Sequence, residues 1–69
     1  MSESVYKIID LVGSSNVSWE DAATKAVEKA AVSLKDLRIA EVQKLDIKIE
    51  EGKPAAFRTN LRLSFKYKD

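Results

Sequence analysis

Ala55-Ala56-Phe57-Arg58-Thr59-Asn60-Leu61-Arg62-Leu63-Ser64-Phe65-Lys66-Tyr67 alternates without a break. One set of positions holds Ala55, Phe57, Thr59, Leu61, Leu63, Phe65 and Tyr67; the other holds Ala56, Arg58, Asn60, Arg62, Ser64 and Lys66. A period of two places the first set on one face of a β-strand and the second set on the other. At about 3.4 Å per residue such a strand runs roughly 40 Å, about twice the usual length. The one helix the chain can supply has roughly 17 residues and spans about 25 Å. Part of the apolar face must therefore find cover on another copy of the chain, and self-assembly is the first property the sequence predicts.

Upstream of this strand, Glu51-Gly52-Lys53 reads as a short hairpin loop with Gly52 available for positive φ. Pro54 opens the strand, where a missing donor is least costly. Before the loop, Leu37 to Glu50 reads as the paired strand, with Leu45, Ile47 and Ile49 alternating with Lys44, Asp46 and Lys48. Val42 and Leu45 are an odd step apart, which simple alternation forbids. A β-bulge near Gln43-Lys44 resolves this and places Ala40 and Val42 on the core face. Ile39 and Glu41 then share a face with Arg58 and Arg62. If Glu50 faces Pro54, Ile47 faces Phe57, Leu45 faces Thr59, and Asp46 faces Arg58 as an opposite-charge pair.

The helix begins at Ser18. The Ser18 hydroxyl can accept from the Asp21 amide while the Asp21 carboxylate reaches back, an acidic variant of the capping box. Glu20 and Asp21 also favour the positive helix N-terminus, and Val17 with Ala22 forms a weak staple across the cap. Trp19, Ala22, Ala23, Ala26, Val27, Ala30, Ala31 and Leu34 make one stripe, with Glu20, Thr24, Lys25, Glu28 and Lys35 largely outside it. The paired alanines let the helix sit close to a sheet. Val5 to Val12 reads as a first strand with apolar groups on both faces, followed by a loop at Gly13-Ser14-Ser15-Asn16. The predicted fold is α+β, a single domain over residues 1–69 in the order β-α-β-β, with a three-stranded antiparallel sheet wrapped on one helix.

Composition narrows the function. A chain of 69 residues supports a lone core worth only about 3–5 kcal/mol, so small domains usually need an extra staple. The chain has no Cys and no His. Disulfides, thiolate metal sites and the commonest general base are excluded, as is a nucleophile–His–acid triad. Phosphate-loop fingerprints are absent too. The sequence therefore predicts a binding protein and not an enzyme, stabilised by oligomerisation. With 12 basic against 11 acidic residues, no global field draws the chain to nucleic acid or to an anionic membrane. The N-terminal Met1-Ser2-Glu3-Ser4 lacks the basic and apolar regions of a signal peptide, and no run approaches a membrane span. A cytoplasmic protein is expected.

Two groups invite a functional reading. Trp19, the only Trp, stands at the first helical position and reads as a packing anchor before a ligand platform. Arg58, Arg62 and Lys66 form a basic row on one strand face. That row is either a solvated face balanced by Glu41, Asp46 and Glu50, or an anion site, since Arg presents a planar fork to phosphate or carboxylate. Arg58 accordingly either contacts a ligand or pairs with Asp46. Carboxylates such as Glu41, repeated about a symmetry axis, offer a third option: a hard divalent cation, Ca²⁺ or Mg²⁺.

The opening Val5-Tyr6-Lys7-Ile8-Ile9-Asp10-Leu11-Val12-Gly13-Ser14-Ser15 resembles the start of dodecins. So do the helix from Ser18, the segment Ser33 to Val42, and the ending Leu63-Ser64-Phe65-Lys66. The resemblance covers nearly the whole chain. It implies a hollow homododecamer of cubic symmetry, helices outside and sheets inside, that stores a small ligand, commonly a flavin (FMN, FAD or riboflavin) bound in stacked pairs. In flavin-binding members a Trp just before the acidic residue of the second strand stacks on the ring; here that position is Ile39. A Gln on the third strand bonds the ring edge; here that position is Arg58, which offers donors but no acceptor. The resemblance therefore places any ligand, whether flavin, anion or divalent cation, at subunit junctions near Ile39, Glu41, Arg58 and Arg62. A structural or partner-binding shell without flavin is the alternative.

Overall fold

The computed structural model describes residues 4–67. Four elements follow one another: β1 (Tyr6–Ser15), α1 (Trp19–Ser33), β2 (Leu37–Glu50) and β3 (Lys53–Lys66). The strands form one antiparallel sheet in the order β1-β3-β2, so the strictly alternating strand is the central one. The expected fold class, β-α-β-β with a three-stranded antiparallel sheet and one helix, is the observed one.

Strand β3 lies central because it alone is amphipathic along its whole length. Leu61, Leu63 and Thr59 on its apolar face are almost fully buried, and Phe57 and Phe65 are half-buried beside them. Helix α1 lies on this face, over β1 and β3, and Ala22 is its one fully buried residue. With 15 residues the helix covers about 22 Å of a sheet whose long strands run about 48 Å. The subunit is correspondingly elongated, 53 × 20 × 14 Å. The length mismatch read from the sequence is thus present in the fold, and its consequence falls on β2. All of β2 except Leu37 is exposed, and Val42, Leu45, Ile47 and Ile49 remain between 41 and 67% accessible. Ala40 and Val42, expected in the core, share the helix-side face but the helix does not reach far enough to cover them.

The bulge inferred from the odd step is observed as a register shift between Val42 and Lys44. Ile47 faces Phe57, Leu45 faces Thr59 and Asp46 faces Arg58, as expected. The premise that Glu50 faces Pro54 is corrected. The hairpin turn has two residues, Glu51 and Gly52, both with positive φ, so Glu50 faces Lys53. A second shift at Lys48/Ile49 then restores the remaining pairs, with Ile49 facing Pro54.

The first strand is also corrected. Gly13, Ser14 and Ser15 are not a loop; they continue β1 and pair with Thr59, Arg58 and Phe57. Gly13 belongs there because a side chain would strike the helix: its Cβ would overlap the Ala22 carbonyl oxygen and stand 3.0 Å from the Ala26 Cβ. Within the subunit β1 is covered on one face only. Ile9 and Leu11 are half-buried on the helix side, whereas Tyr6, Ile8 and Val12 are exposed on the other. At the cap, the Asp21 amide donates to Ser18 Oγ at 2.9 Å as expected, but the Asp21 carboxylate turns elsewhere. It accepts from Ser15 Oγ at 2.6 Å and pairs with Lys25 at 3.1 Å. Val17 stays exposed and staples nothing. The helix ends at Ser33 with Leu34 in extended conformation, one residue short of the stripe's full length.

Candidate functional site

The face of the sheet turned away from α1 is open. In register across it stand Ile8–Ser64–Ile39, Asp10–Arg62–Glu41, Val12–Asn60–Lys44 and Ser14–Arg58–Asp46. The alternation of β3 places Arg58 and Arg62 here, and the bulge in β2 brings Ile39 and Glu41 to the same face as Lys44 and Asp46.

Arg58 and Arg62 are four residues apart, about 13 Å along the strand, and each is engaged differently. Arg58 makes a bidentate pair with Asp46: Nε donates to Oδ1 at 2.7 Å and Nη2 to Oδ2 at 2.9 Å. The Arg58 fork holds the Asp46 carboxyl below its ordinary value, and Asp46 in turn raises Arg58. Of the two readings of Arg58, the pair with Asp46 is therefore the one formed within the subunit. Asp46 is also tied from the other side of the sheet, where its carbonyl accepts from Trp19 Nε1 at 3.0 Å.

Arg62 has a carboxylate on each side and takes one. Its Nε donates to Asp10 Oδ1 at 3.1 Å. Glu41, opposite Arg62 on β2, makes no ion pair with any described residue. Ile39 lies next to Glu41's row, across from Ser64, and is 64% exposed. The structure thus brings Ile39, Glu41 and Arg62 together toward one end of the open face and separates Arg58, which faces the hairpin end. Asp10 was missed from the sequence. Its only signal is a charge placed between Ile8 and Val12 on one face of an otherwise apolar strand.

Trp19 is on the opposite side from these residues. Its ring meets Phe57 edge-on at 5.1 Å and 72°, and its carbonyl accepts from Thr59 Oγ1 at 2.9 Å. It is a packing anchor, as its place in the stripe indicated. Hydrogen bonds satisfy both buried hydroxyls, Thr59 and Ser15. Among the described residues no three carboxylates of one subunit converge as a metal site.

A model of the dodecin family matches residues 5–68. The chain belongs to the dodecin family. Over 63 residues it is 43% identical to calcium dodecin of Mycobacterium tuberculosis, an alignment covering 91% of this chain and 89% of that one. The crystal structure of that calcium-chelating immunodominant antigen, which has a novel calcium-binding site, superposes with a TM-score of 0.84 at 42% identity. That comparison covers 94% of this chain and 93% of the other. Dodecin from Streptomyces coelicolor superposes with a TM-score of 0.91 at 30% identity, over 100% of this chain and 99% of its own. The order of strands and helix argued above is thus the dodecin fold, and among the described residues no helix is long and apolar enough to cross a membrane.

Proposed function

We propose that this dodecin assembles as a hollow homododecamer that binds and stores a small ligand at subunit junctions on the open face, and that the ligand is a divalent cation. The observation that carries the reading is Glu41: a carboxylate on an uncovered face, with no ion-pair partner among the described residues, beside an arginine already engaged by Asp10. Ca²⁺ takes six to eight oxygen ligands, more than one subunit gathers here, so the site is completed by Glu41 from neighbouring copies. Ser64 and Asn60, on the same face, supply neutral oxygens of the right hardness. The Asp10–Arg62 pair removes the positive charge that would otherwise repel a cation. Similarity to a calcium dodecin supports the same choice. Flavin chemistry fits these residues less well: Ile39 has no π face to stack on, and Arg58 is a donor already committed to Asp46.

The test uses the unmodified chain, freed of metal by chelation, with its mass fixed by light scattering. A twelve-subunit species should bind Ca²⁺ in calorimetry, lose that heat in Glu41→Gln, and leave flavin fluorescence unquenched. Quenching at micromolar FMN, FAD or riboflavin without a Ca²⁺ heat would restore flavin storage. A dodecamer that responds to neither, with no ligand-linked rise in melting temperature, would make the shell structural or partner-binding.

A further inference from the structure

Arg62 stands on the central strand in the middle of the row Asp10–Arg62–Glu41, with a carboxylate directly opposite on each edge strand. Side chains directly opposite in a sheet have Cβ atoms about 4.5–5.5 Å apart, so a guanidinium reaches either neighbour by rotating its own side chain. The flanking rows, Ile8–Ser64–Ile39 and Val12–Asn60–Lys44, hold no carboxylate. Arg62 thus has two seats on this part of the open face, one on Asp10 and one on Glu41. The occupied seat is Asp10, and it is held lightly. Nε donates once, to Oδ1 at 3.1 Å, whereas Arg58 grips Asp46 with two bonds at 2.7 and 2.9 Å. The two side chains are 48 and 58% exposed, and a single-bonded pair in that setting exchanges readily for another of the same chemistry.

We infer that Asp10 is a positioning residue for the cation site: it binds no metal, and it keeps Glu41 available by holding Arg62 on the far side of the row. The inference rests on the divalent-cation reading of Glu41 and adds a control to it. With Arg62 on Asp10, Glu41 presents its full charge with both oxygens open. With Arg62 on Glu41, the same carboxylate is neutralised, and a cation must first displace the guanidinium. The row holds two carboxylates and one guanidinium in both arrangements, so its net charge is unchanged. Only the place of the free carboxylate differs. Cation binding and the Asp10–Arg62 pair therefore favour each other, and the coupling has the same size in both directions.

The parent and four variants, each stripped of metal, are titrated with Ca²⁺ by calorimetry, with mass and circular dichroism checked first. Asp10→Asn keeps the shape of Asp10 and removes its charge, so Arg62 moves to Glu41 and the affinity should fall. An exposed ion pair weakens a competitor by up to about fivefold, and with Glu41 from two copies in the shell the fall should be about 5–30-fold. Arg62→Gln removes the competitor and should bind Ca²⁺ at least as tightly as the parent. The double variant Asp10→Asn/Arg62→Gln should recover what Asp10→Asn lost, a rescue that damage to the fold cannot produce. Asp46→Asn changes the net charge equally but frees Arg58, about 13 Å along the strand and beyond the screening length, so its affinity should stay within about twofold. An Asp10→Asn protein that binds like the parent would overturn the inference. So would a double variant as weak as Asp10→Asn, which would make Asp10 a direct ligand, and so would an equal fall in Asp46→Asn, which net charge alone would explain. The parent separates the two levels. A dodecamer with no Ca²⁺ heat removes the cation reading and this inference together, whereas a Ca²⁺-binding parent beside an unresponsive Asp10→Asn removes only the role of Asp10.

Discussion

Replacing Gly13 by Ala adds one methyl group at the place where β1 runs closest to the helix. That methyl would stand 3.0 Å from both the Ala22 carbonyl carbon and the Ala26 Cβ, and would overlap the Ala22 carbonyl oxygen. Carbon atoms pack comfortably at about 3.5–4.0 Å, so the helix must retreat by roughly 0.5–1 Å. The carbonyl is backbone and cannot turn aside as a flexible side chain would, and Ala22 is the residue of α1 with no exposure at all. Overpacking of this kind costs about 1–3 kcal/mol. Removing a glycine from the unfolded chain returns about 0.4–1 kcal/mol, which leaves a net loss of about 1–2 kcal/mol. For a domain of this size that corresponds to a fall of roughly 5–15 °C in melting midpoint. The assay is thermal unfolding by circular dichroism at one fixed protein concentration, since assembly shifts apparent stability by mass action. A Gly13→Ala protein as stable as the parent would refute the close approach of strand and helix, and with it the reason given for a glycine inside β1.

Three further outcomes are expected. Trp19→Phe keeps the edge contact with Phe57 but loses the donor to the Asp46 carbonyl, and should cost about 0.5–1.5 kcal/mol in urea unfolding; no loss would mean water replaces that bond freely. Leu61→Ala, in the middle of the buried face of β3, should cost about 2–5 kcal/mol, comparable to the whole of what a lone small core supplies. Its folding should therefore depend steeply on protein concentration, and a concentration-independent transition would count against assembly as the stabiliser. Asp46 has its folded pKa held below 3.8, first by the hydrogen bonds from Arg58, so its contribution is present above that pH and is lost as pH falls through the lowered value. Asp21, lowered by the Ser15 hydroxyl and then by Lys25, acts in the same direction. Acid titration should show stability falling below pH 3.8, with a shallower fall in Asp46→Asn; identical slopes would show that the Arg58 pair adds nothing.

The parts of the fold that were legible are those where spacing leaves one solution. Strict alternation from Ala55 to Tyr67 permits only a strand with two distinct faces, and that strand is the centre of the sheet. The odd step from Val42 to Leu45 permits only a bulge, and one is there. Gly13-Ser14-Ser15 was misread because these residues are turn formers by local propensity. Here a tertiary demand overrides that propensity: the helix must approach the sheet, and glycine is what lets it. The two other irregularities, at Leu37/Ile39 and Lys48/Ile49, leave no mark on the apolar spacing and so were invisible.

The site was half legible for a related reason. Asp46 opposite Arg58 was legible because two errors cancel: the turn is one residue shorter than expected, and the unforeseen shift at Lys48/Ile49 takes up that residue before the pair is reached. Asp10 opposite Arg62 does not follow, since β1 reaches β3 through a helix and its register is set by packing and not by a turn. From the sequence Arg62 had only Glu41 as a neighbour; in the fold it has two carboxylates and takes Asp10. That choice separates the subunit's two tasks. On the open face the charges cancel locally, Arg58 with Asp46 and Arg62 with Asp10, and Glu41 is left over. On the helix side the apolar row Val42, Leu45, Ile47 and Ile49 is left over. If that row drives assembly and Glu41 serves the ligand, the two are separable. Glu41→Gln should abolish the Ca²⁺ heat in a particle of unchanged mass, whereas Leu45→Glu should lower the mass and lose the heat with it. A site built inside one subunit would behave otherwise, because Leu45→Glu would then leave the heat intact in the dissociated chain.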